Sequence, residues 1–185
     1  LLVKKDMGRL SAQLRMAYDY ALKMGYKGIV TIDGNNKDSV ESIYEFINLL
    51  KKGYDFVQGS RFLKGGIEIN TPKFRRFAIK YIHVPIINYI SRYNYTDTTN
   101  GFKAYSRKYL NSPLVEPFRE IFSEYDLLYY LTVKAPQLGF NVKETPVTRS
   151  YPPGTIPTKL TPFKGNYLML KSLLLLAIGY YDLKS

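Results

Sequence analysis

The stretch GIVTIDGNNKDSVESI, residues 28–43, decides how the chain folds. It opens as a continuous β-branched run, Ile29-Val30-Thr31-Ile32, of the kind covered on both faces in a parallel sheet. The run stops abruptly at Asp33-Gly34-Asn35-Asn36, and apolar residues at helical spacing resume from Val40. Two readings account for this polar knot. One is an ordinary Asp-Gly-Asn turn ahead of a helix cap. The other is a ligand site, because loops and helix N-termini converge at the carboxyl ends of strands in α/β sheets. Two oxygen donors separated by a glycine can share one hard divalent cation there.

The flanks of this stretch alternate in the same way. Leu10, Leu14, Ala17, Ala21 and Leu22 predict a helix over 9–24, stopped by Gly25. Asp38 or Ser39 caps the next helix, with Val40, Ile43, Phe46, Ile47 and Leu50 on one face and Gly53 at its end. Tyr54–Ser60 reads as a second strand. The order αβαβ with short connections predicts an α/β domain with parallel strands. The second half is less regular. Lys73–Tyr93 is helical but interrupted by Pro85, Gly101–Ser106 is a short strand, Phe122–Leu138 a helix and Asn141–Arg149 a strand. The proline-rich 151–162 is a loop. Gly165–Tyr181 is an apolar helix, shorter than the ~20 residues that span a bilayer. It closes the core or lies in a membrane interface.

With 185 residues, 45% of them hydrophobic, the chain has the material for one globular domain and is not a disordered segment. It has no cysteine, which excludes disulfides and thiolate-bound metals and fits a reducing compartment. The opening Leu1-Leu2-Val3 reads as the inside of a strand, so an upstream part is expected. The formal net charge of +12 suits a solvated surface, nucleic acid, anionic lipid or a phosphorylated substrate, and charge alone does not rank them.

Further polar clusters follow the knot. Gln58-Gly59-Ser60-Arg61 places an arginine just past the second strand. Lys73, Arg75, Arg76 and Lys80 start a helix. In Tyr95-Thr96-Asp97-Thr98-Thr99-Asn100-Gly101-Phe102 a carboxylate stands among hydroxyls with no opposite charge beside it in sequence. That pattern suits a positioned general base, or a capped turn before Gly101. His83, the only histidine, reads as structural, and the tyrosines 125, 129 and 130 as packing.

Taken together, TIDGN, QGSR, KFRR, TDTTNGFKAYS, EYDLL and ETPVTR with a late Thr-Lys resemble the family 2 glycosyltransferases. The branch is that of dolichyl-phosphate mannosyltransferase-like enzymes and bacterial polysaccharide-synthesis transferases, and the similarity runs from about residue 8 to 159. The resemblance implies a GT-A, Rossmann-like α/β fold with a mostly parallel central sheet. It implies a single domain over 1–185 that lacks its first strand and nucleobase-binding part, with a C-terminal apolar helix over 165–182. The activity implied is metal-dependent, inverting transfer of a sugar from a nucleoside diphosphate to a saccharide or polyprenyl-phosphate-linked acceptor.

By position, Asp33 and Asn35 match the metal motif and would hold Mg²⁺ or Mn²⁺, although Asn35 is an amide where the family has a carboxylate. Lys37 stands where relatives carry a polar ligand and is placed to meet phosphate instead. Arg61, Arg75, Arg149 and Lys159 match basic positions facing the diphosphate or a phosphorylated acceptor, and Asp97 and Asp126 match candidate bases. No nucleic-acid partner is implied. The implied location is the cytoplasm, with an anionic membrane surface as a further expected contact. A domain that has lost catalysis, a basic nucleic-acid-binding domain and a nucleotidyltransferase are the competing readings.

Overall fold

The computed structural model describes residues 9–152 and 162–183. Its elements are α1 (Leu10–Lys23), β1 (Gly28–Thr31), α2 (Ile43–Lys51), β2 (Phe56–Ser60), β3 (Ile67–Ile69), α3 (Lys73–Ala78), α4 (Val84–Ser91), β4 (Lys103–Ser106), α5 (Arg107–Leu110), α6 (Asp126–Gln137), β5 (Val142–Pro146), β6 (Thr148–Ser150) and α7 (Pro162–Ala177). Leu1–Val3 and Lys159 lie outside the described residues.

The main sheet runs β1-β4-β2-β5. The expected α/β class is present, but the sheet is mixed rather than mostly parallel: β4 is antiparallel to both β1 and β2, and only β2 and β5 pair in parallel. This reversal positions the site. The carboxyl ends of β1, β2 and β5 share one rim. Because β4 runs the other way, its amino end reaches that rim too, carrying residues 96–102 with it. In an all-parallel sheet that segment would lie at the opposite end.

Both sheet faces are covered, as the β-branched runs require. On one face Phe56 and Tyr105 enter the larger core, built with Tyr18 of α1, Ile87 of α4, Leu127, Tyr130 and Leu131 of α6, and Leu173 and Leu176 of α7. On the other, Val57 and Ala104 pack beneath Phe46 and Leu49 of α2. Phe46 stacks on Phe102 at 4.2 Å and 14°. The buried face of α2 is thus Phe46 and Leu49, while Val40 and Ile47 of the expected stripe are exposed. Buried tyrosines carry polar tips into this core and satisfy carbonyls there. Tyr95, Tyr109 and Tyr130 donate to Thr132 O (2.8 Å), Leu131 O (2.6 Å) and Val115 O (2.9 Å).

The Pro85 interruption is absorbed without a break. A π-helical stretch, Ile79–His83, joins α3 to α4, and Pro85 falls in the first turn of α4, where its missing N–H is tolerated. The expected strand 141–149 divides at Val147 into β5 and β6, and β6 pairs in parallel with β3. On its other side β6 meets the polar knot: Ser150 N–H donates to Lys37 O (2.7 Å) and Ser39 N–H to Thr148 O (3.1 Å). This small ribbon holds residues 37–39 against 148–150.

One core residue is chemically unusual. Lys103, in the middle of β4, is buried with its ammonium on Gln58 Oε1 and Thr132 Oγ1 (3.1 Å) and no carboxylate in contact. Burial pushes it down to about 7, although Asp97, Glu144 and Asp33 pull the other way. Between that value and the ordinary lysine range the unfolded chain binds the additional proton, so stability rises with pH across this window. Stability should gain about 2 kcal/mol between pH 7 and pH 9. Burial holds Tyr105 and Tyr109 well above the usual tyrosine range, which reverses the trend at higher pH. Urea unfolding at stepped pH checks this, and Lys103→Met should flatten the rise.

Candidate active site

Three arginines from different parts of the chain converge on one tyrosine hydroxyl. Tyr151 Oη accepts from Arg61 Nη1 (3.2 Å), Arg75 Nη1 (3.4 Å) and Arg149 Nε (3.4 Å). The elements explain the convergence. Arg61 follows β2 at the shared rim, Arg149 lies in β6, Tyr151 follows it, and Arg75 projects from the first turn of α3. Tyr151 is 1% exposed. Burial alone would raise its hydroxyl, but the guanidinium groups of Arg61, Arg149 and Arg75 outweigh that and lower it. Lys37 adds a fourth cation, its ammonium 5.0 Å from the Tyr151 ring centroid.

Two of these arginines are already paired. Arg61 grips Asp97 through Nε–Oδ2 (2.7 Å) and Nη2–Oδ1 (3.3 Å), with both side chains essentially inaccessible. Asp97 Oδ1 also accepts from Thr99 N–H (3.1 Å) and its hydroxyl (3.2 Å), and Oδ2 from Arg61 N–H (3.4 Å). Asp97 has no opposite charge beside it in sequence, but the fold supplies one from 36 positions earlier. Its backbone is fixed in turn by Glu144 of β5, whose carboxylate accepts from Thr96 N–H (2.9 Å) and Asp97 N–H (3.2 Å). Burial raises Glu144 above the usual carboxylate range, against the pull of those backbone donors.

Arg149 is the second paired cation. Its Nη1 donates to Asp38 Oδ2 (2.5 Å) and Asn100 Oδ1 (3.2 Å), and Nη2 to Asp33 Oδ2 (2.9 Å). Asp38 is not the helix cap considered from sequence. It is a buried counter-ion, raised by desolvation even though Arg149 lowers it. Arg149 itself is held above the ordinary arginine value, because Asp38, Tyr151 and Asp33 outweigh the cost of its burial. Arg75 makes no carboxylate ion pair among the described residues, whereas its neighbour Arg76 is tied to Glu68 at 2.7 Å. His83 lies close behind Arg75. Burial, reinforced by the Arg75 charge, pushes it down to about 4, so it is neutral and structural at physiological pH.

Asp126 sits apart from this cluster's hydrogen bonds. Its carboxylate folds over the N-terminus of its own helix, accepting from Leu127 N–H (2.9 Å) and from Ser123 and Glu124 N–H (3.4 Å each). These contacts tie the preceding loop and one first-turn donor to an acid that the helix dipole favours.

The expected metal ligands do not form a donor set. Asp33 is partly exposed and shares Oδ2 with Arg149. A Cβ at Gly101 would sit 2.6 Å from its Oδ1, so a glycine is needed to make room for this carboxylate. Asn35 turns its Oδ1 back onto Lys37 N–H (3.2 Å) in a local turn. Among the described residues no group of three or more His, Asp or Glu side chains is arranged to hold a metal ion. Asp33 and Asn35 by themselves are a poor donor set for Mg²⁺ or Mn²⁺.

Sequence reasoning missed Asp38, Glu144 and Tyr151. Glu144 lies in the ETPVTR stretch, and Tyr151 immediately follows the ribbon, but neither carries a local signal for its contacts. No helix among the described residues is long and apolar enough to cross a membrane.

No protein-family model matches the chain. It is 27% identical over 139 residues to polyprenol monophosphomannose synthase of Mycolicibacterium smegmatis, covering 75% of this chain and 51% of that protein. It is 28% identical over 145 residues to dolichyl-phosphate hexose transferase of Haloferax volcanii, covering 78% and 59%. The chain thus spans between half and three-fifths of the length of these curated relatives, and the similarity is to proteins named for hexose transfer involving lipid phosphates.

Proposed function

We infer that this chain carries the transfer site of a family 2 glycosyltransferase of GT-A type, moving a hexose from a nucleoside-diphosphate donor to a polyprenyl-phosphate acceptor. The observation that carries the reading is the convergence of Arg61, Arg75 and Arg149 on Tyr151 at the rim where three strands end. Guanidinium groups recognise phosphate oxygens in paired, directional hydrogen bonds, and a cluster of them at a sheet's carboxyl rim suits a diphosphate. The similarity to transferases named for polyprenol and dolichyl phosphate supports the acceptor class.

The chemistry asks for positioning more than for proton transfer. An acceptor phosphate oxygen attacks the anomeric carbon, the carbon–oxygen bond to the nucleoside diphosphate breaks, and configuration inverts. A phosphate monoester, with its second pKa near 6, is already ionised at neutral pH. Such a nucleophile needs no general base, which accords with an Asp97 whose oxygens are all engaged by Arg61 and Thr99. Charge growing on the leaving diphosphate is met by fixed cations, the larger contribution in reactions of this kind. Arg61 and Arg149, pinned by their aspartates, shape the wall, and Arg75 is free to bind.

The surface beside the cluster fits a lipid-linked acceptor. Phe74 and Phe77 of α3 and Tyr81 just beyond it are exposed, and Lys73 and Lys80 lie on the same helical rod. Apolar rings flanked by lysines are the composition of a helix resting on an anionic bilayer.

The test is hexose transfer from GDP-mannose or UDP-glucose to polyprenyl phosphate in detergent, read as label entering the organic phase. Arg75→Gln should lower kcat/KM by about 10- to 100-fold, the loss of one charged hydrogen bond. Its melting temperature should hold, since Arg75 pairs with no carboxylate. Unchanged turnover in this variant, or failure of every nucleotide sugar to bind, would overturn the reading.

A further inference from the structure

We propose that this chain holds a diphosphate directly between Lys37 and Arg75, at the edge of the Tyr151 cluster, with no divalent ion in the complex. The inference rests on the nucleoside-diphosphate reading above and goes beyond it, because it assigns the charge neutralisation to two named side chains.

Most of the oxygen atoms that a cation would require are engaged. Asp33 Oδ2 is on Arg149, which leaves Oδ1 as the one oxygen of that carboxylate without a hydrogen bond among the described residues. Asn35 Oδ1 is on the Lys37 amide, and Asp38 is buried against Arg149. The charge balance points the same way. Asp33, Asp38 and Asp97 are each ion-paired with Arg61 or Arg149, while Lys37 and Arg75 lie against Tyr151 without a carboxylate partner among the described residues. A Mg²⁺ site gathers an excess of carboxylate, whereas these aspartates are already matched by guanidinium groups.

The two cations without carboxylate partners among the described residues lie against the same ring. Lys37 Nζ is 5.0 Å and the Arg75 guanidinium carbon 5.7 Å from the Tyr151 centroid. Lys37 is held there by its backbone, whose carbonyl accepts from Ser150 N–H in the ribbon with β6. A point-like ammonium and a planar guanidinium, each within 6 Å of one aromatic ring, are complementary to two linked phosphates. Asn35 and Lys37 then belong together: the amide that weakens the cation site also fixes the lysine that replaces it.

Calorimetric titration of the full chain with inorganic pyrophosphate, once in EDTA and once in Mg²⁺ with correction for the metal complex in solution, tests this. Binding in EDTA is expected, with affinity changing less than about threefold on adding Mg²⁺. Lys37→Gln should weaken it by about tenfold or more, the loss of one charge-assisted contact. As a second measurement, Mn²⁺ titration followed by electron paramagnetic resonance should detect no binding to the native chain. The double variant Asn35→Asp, Lys37→Gln should bind Mn²⁺. Pyrophosphate binding that appears only with metal, or is unaffected in Lys37→Gln, overturns the proposal and leaves the transfer reading standing. Absence of pyrophosphate binding in both buffers overturns both.

Discussion

Asp97→Asn is expected to destabilise the fold by about 3–5 kcal/mol, the usual cost of removing one partner from a buried ion pair. For a chain of this length that lowers the melting temperature by roughly 10 °C. The reason is local and specific. Arg61 is enclosed, and its charge is balanced by the two oxygens of Asp97. Burial acts to lower Arg61, and only Asp97, with Tyr151, holds it above its ordinary value. An asparagine keeps one acceptor but turns an amide donor toward the guanidinium, so a buried positive charge is left facing N–H groups. The double variant Arg61→Met, Asp97→Leu removes both charges and should recover most of the loss, since a buried pair exchanged for apolar residues is often neutral. Chemical denaturation of the four proteins in this cycle is the measurement. Single-variant losses that simply add would show that the pair is not a unit. Where Asp97→Asn remains folded at low temperature, its transfer rate should show no lost ionisation in the pH profile, because the nucleophile arrives already charged.

Much of this arrangement was legible in the chain, and the part that was not has a physical cause. The Ile29–Ile32 run and the stop at Asp33 located β1 and its rim, and the glycines at 25 and 53 ended α1 and α2 with positive φ, as their positions predicted. The direction of β4 was not legible. Lys103-Ala-Tyr-Ser has the same composition whichever way it runs, and direction depends on the connections around it. Yet the expectation that Asp97, just before this strand, joins Asp33, just after β1, is incompatible with a parallel β4. The antiparallel pairing resolves that conflict. Asp97 also illustrates why its partner was invisible: an ion pair across 36 residues leaves no spacing signature, whereas the contacts of Asp126 are local. Asp38 was misread for the same reason, since a carboxylate ahead of a helix resembles a cap until the ribbon brings Arg149 to it.

Arg149→Met is expected to cost about as much, 3–5 kcal/mol, but for the opposite sign of orphaned charge. Asp38 is enclosed, and among the described residues its Oδ1 has no hydrogen-bond partner and Arg149 alone gives Oδ2 a cation. Without that guanidinium the carboxylate must take up a proton or admit water. Asp38 is raised by burial even with Arg149 present, so the native state of the variant should bind a proton that the unfolded chain binds only at lower pH. The sign follows: the variant's deficit should shrink as pH falls toward the carboxylate range and grow as pH rises. Arg149→Lys should recover only part of the stability, because one ammonium cannot reach Asp33, Asp38, Asn100 and Tyr151 from a single fork. Adding Asp38→Asn to Arg149→Met should restore most of it, while Asp33, partly exposed, contributes little to the loss. Denaturation midpoints of these variants between pH 5 and pH 8 provide the check. A deficit independent of pH would mean that Asp38 is not the charge Arg149 neutralises. In that event the ribbon joining residues 37–39 to β6 would owe its place to backbone pairing alone.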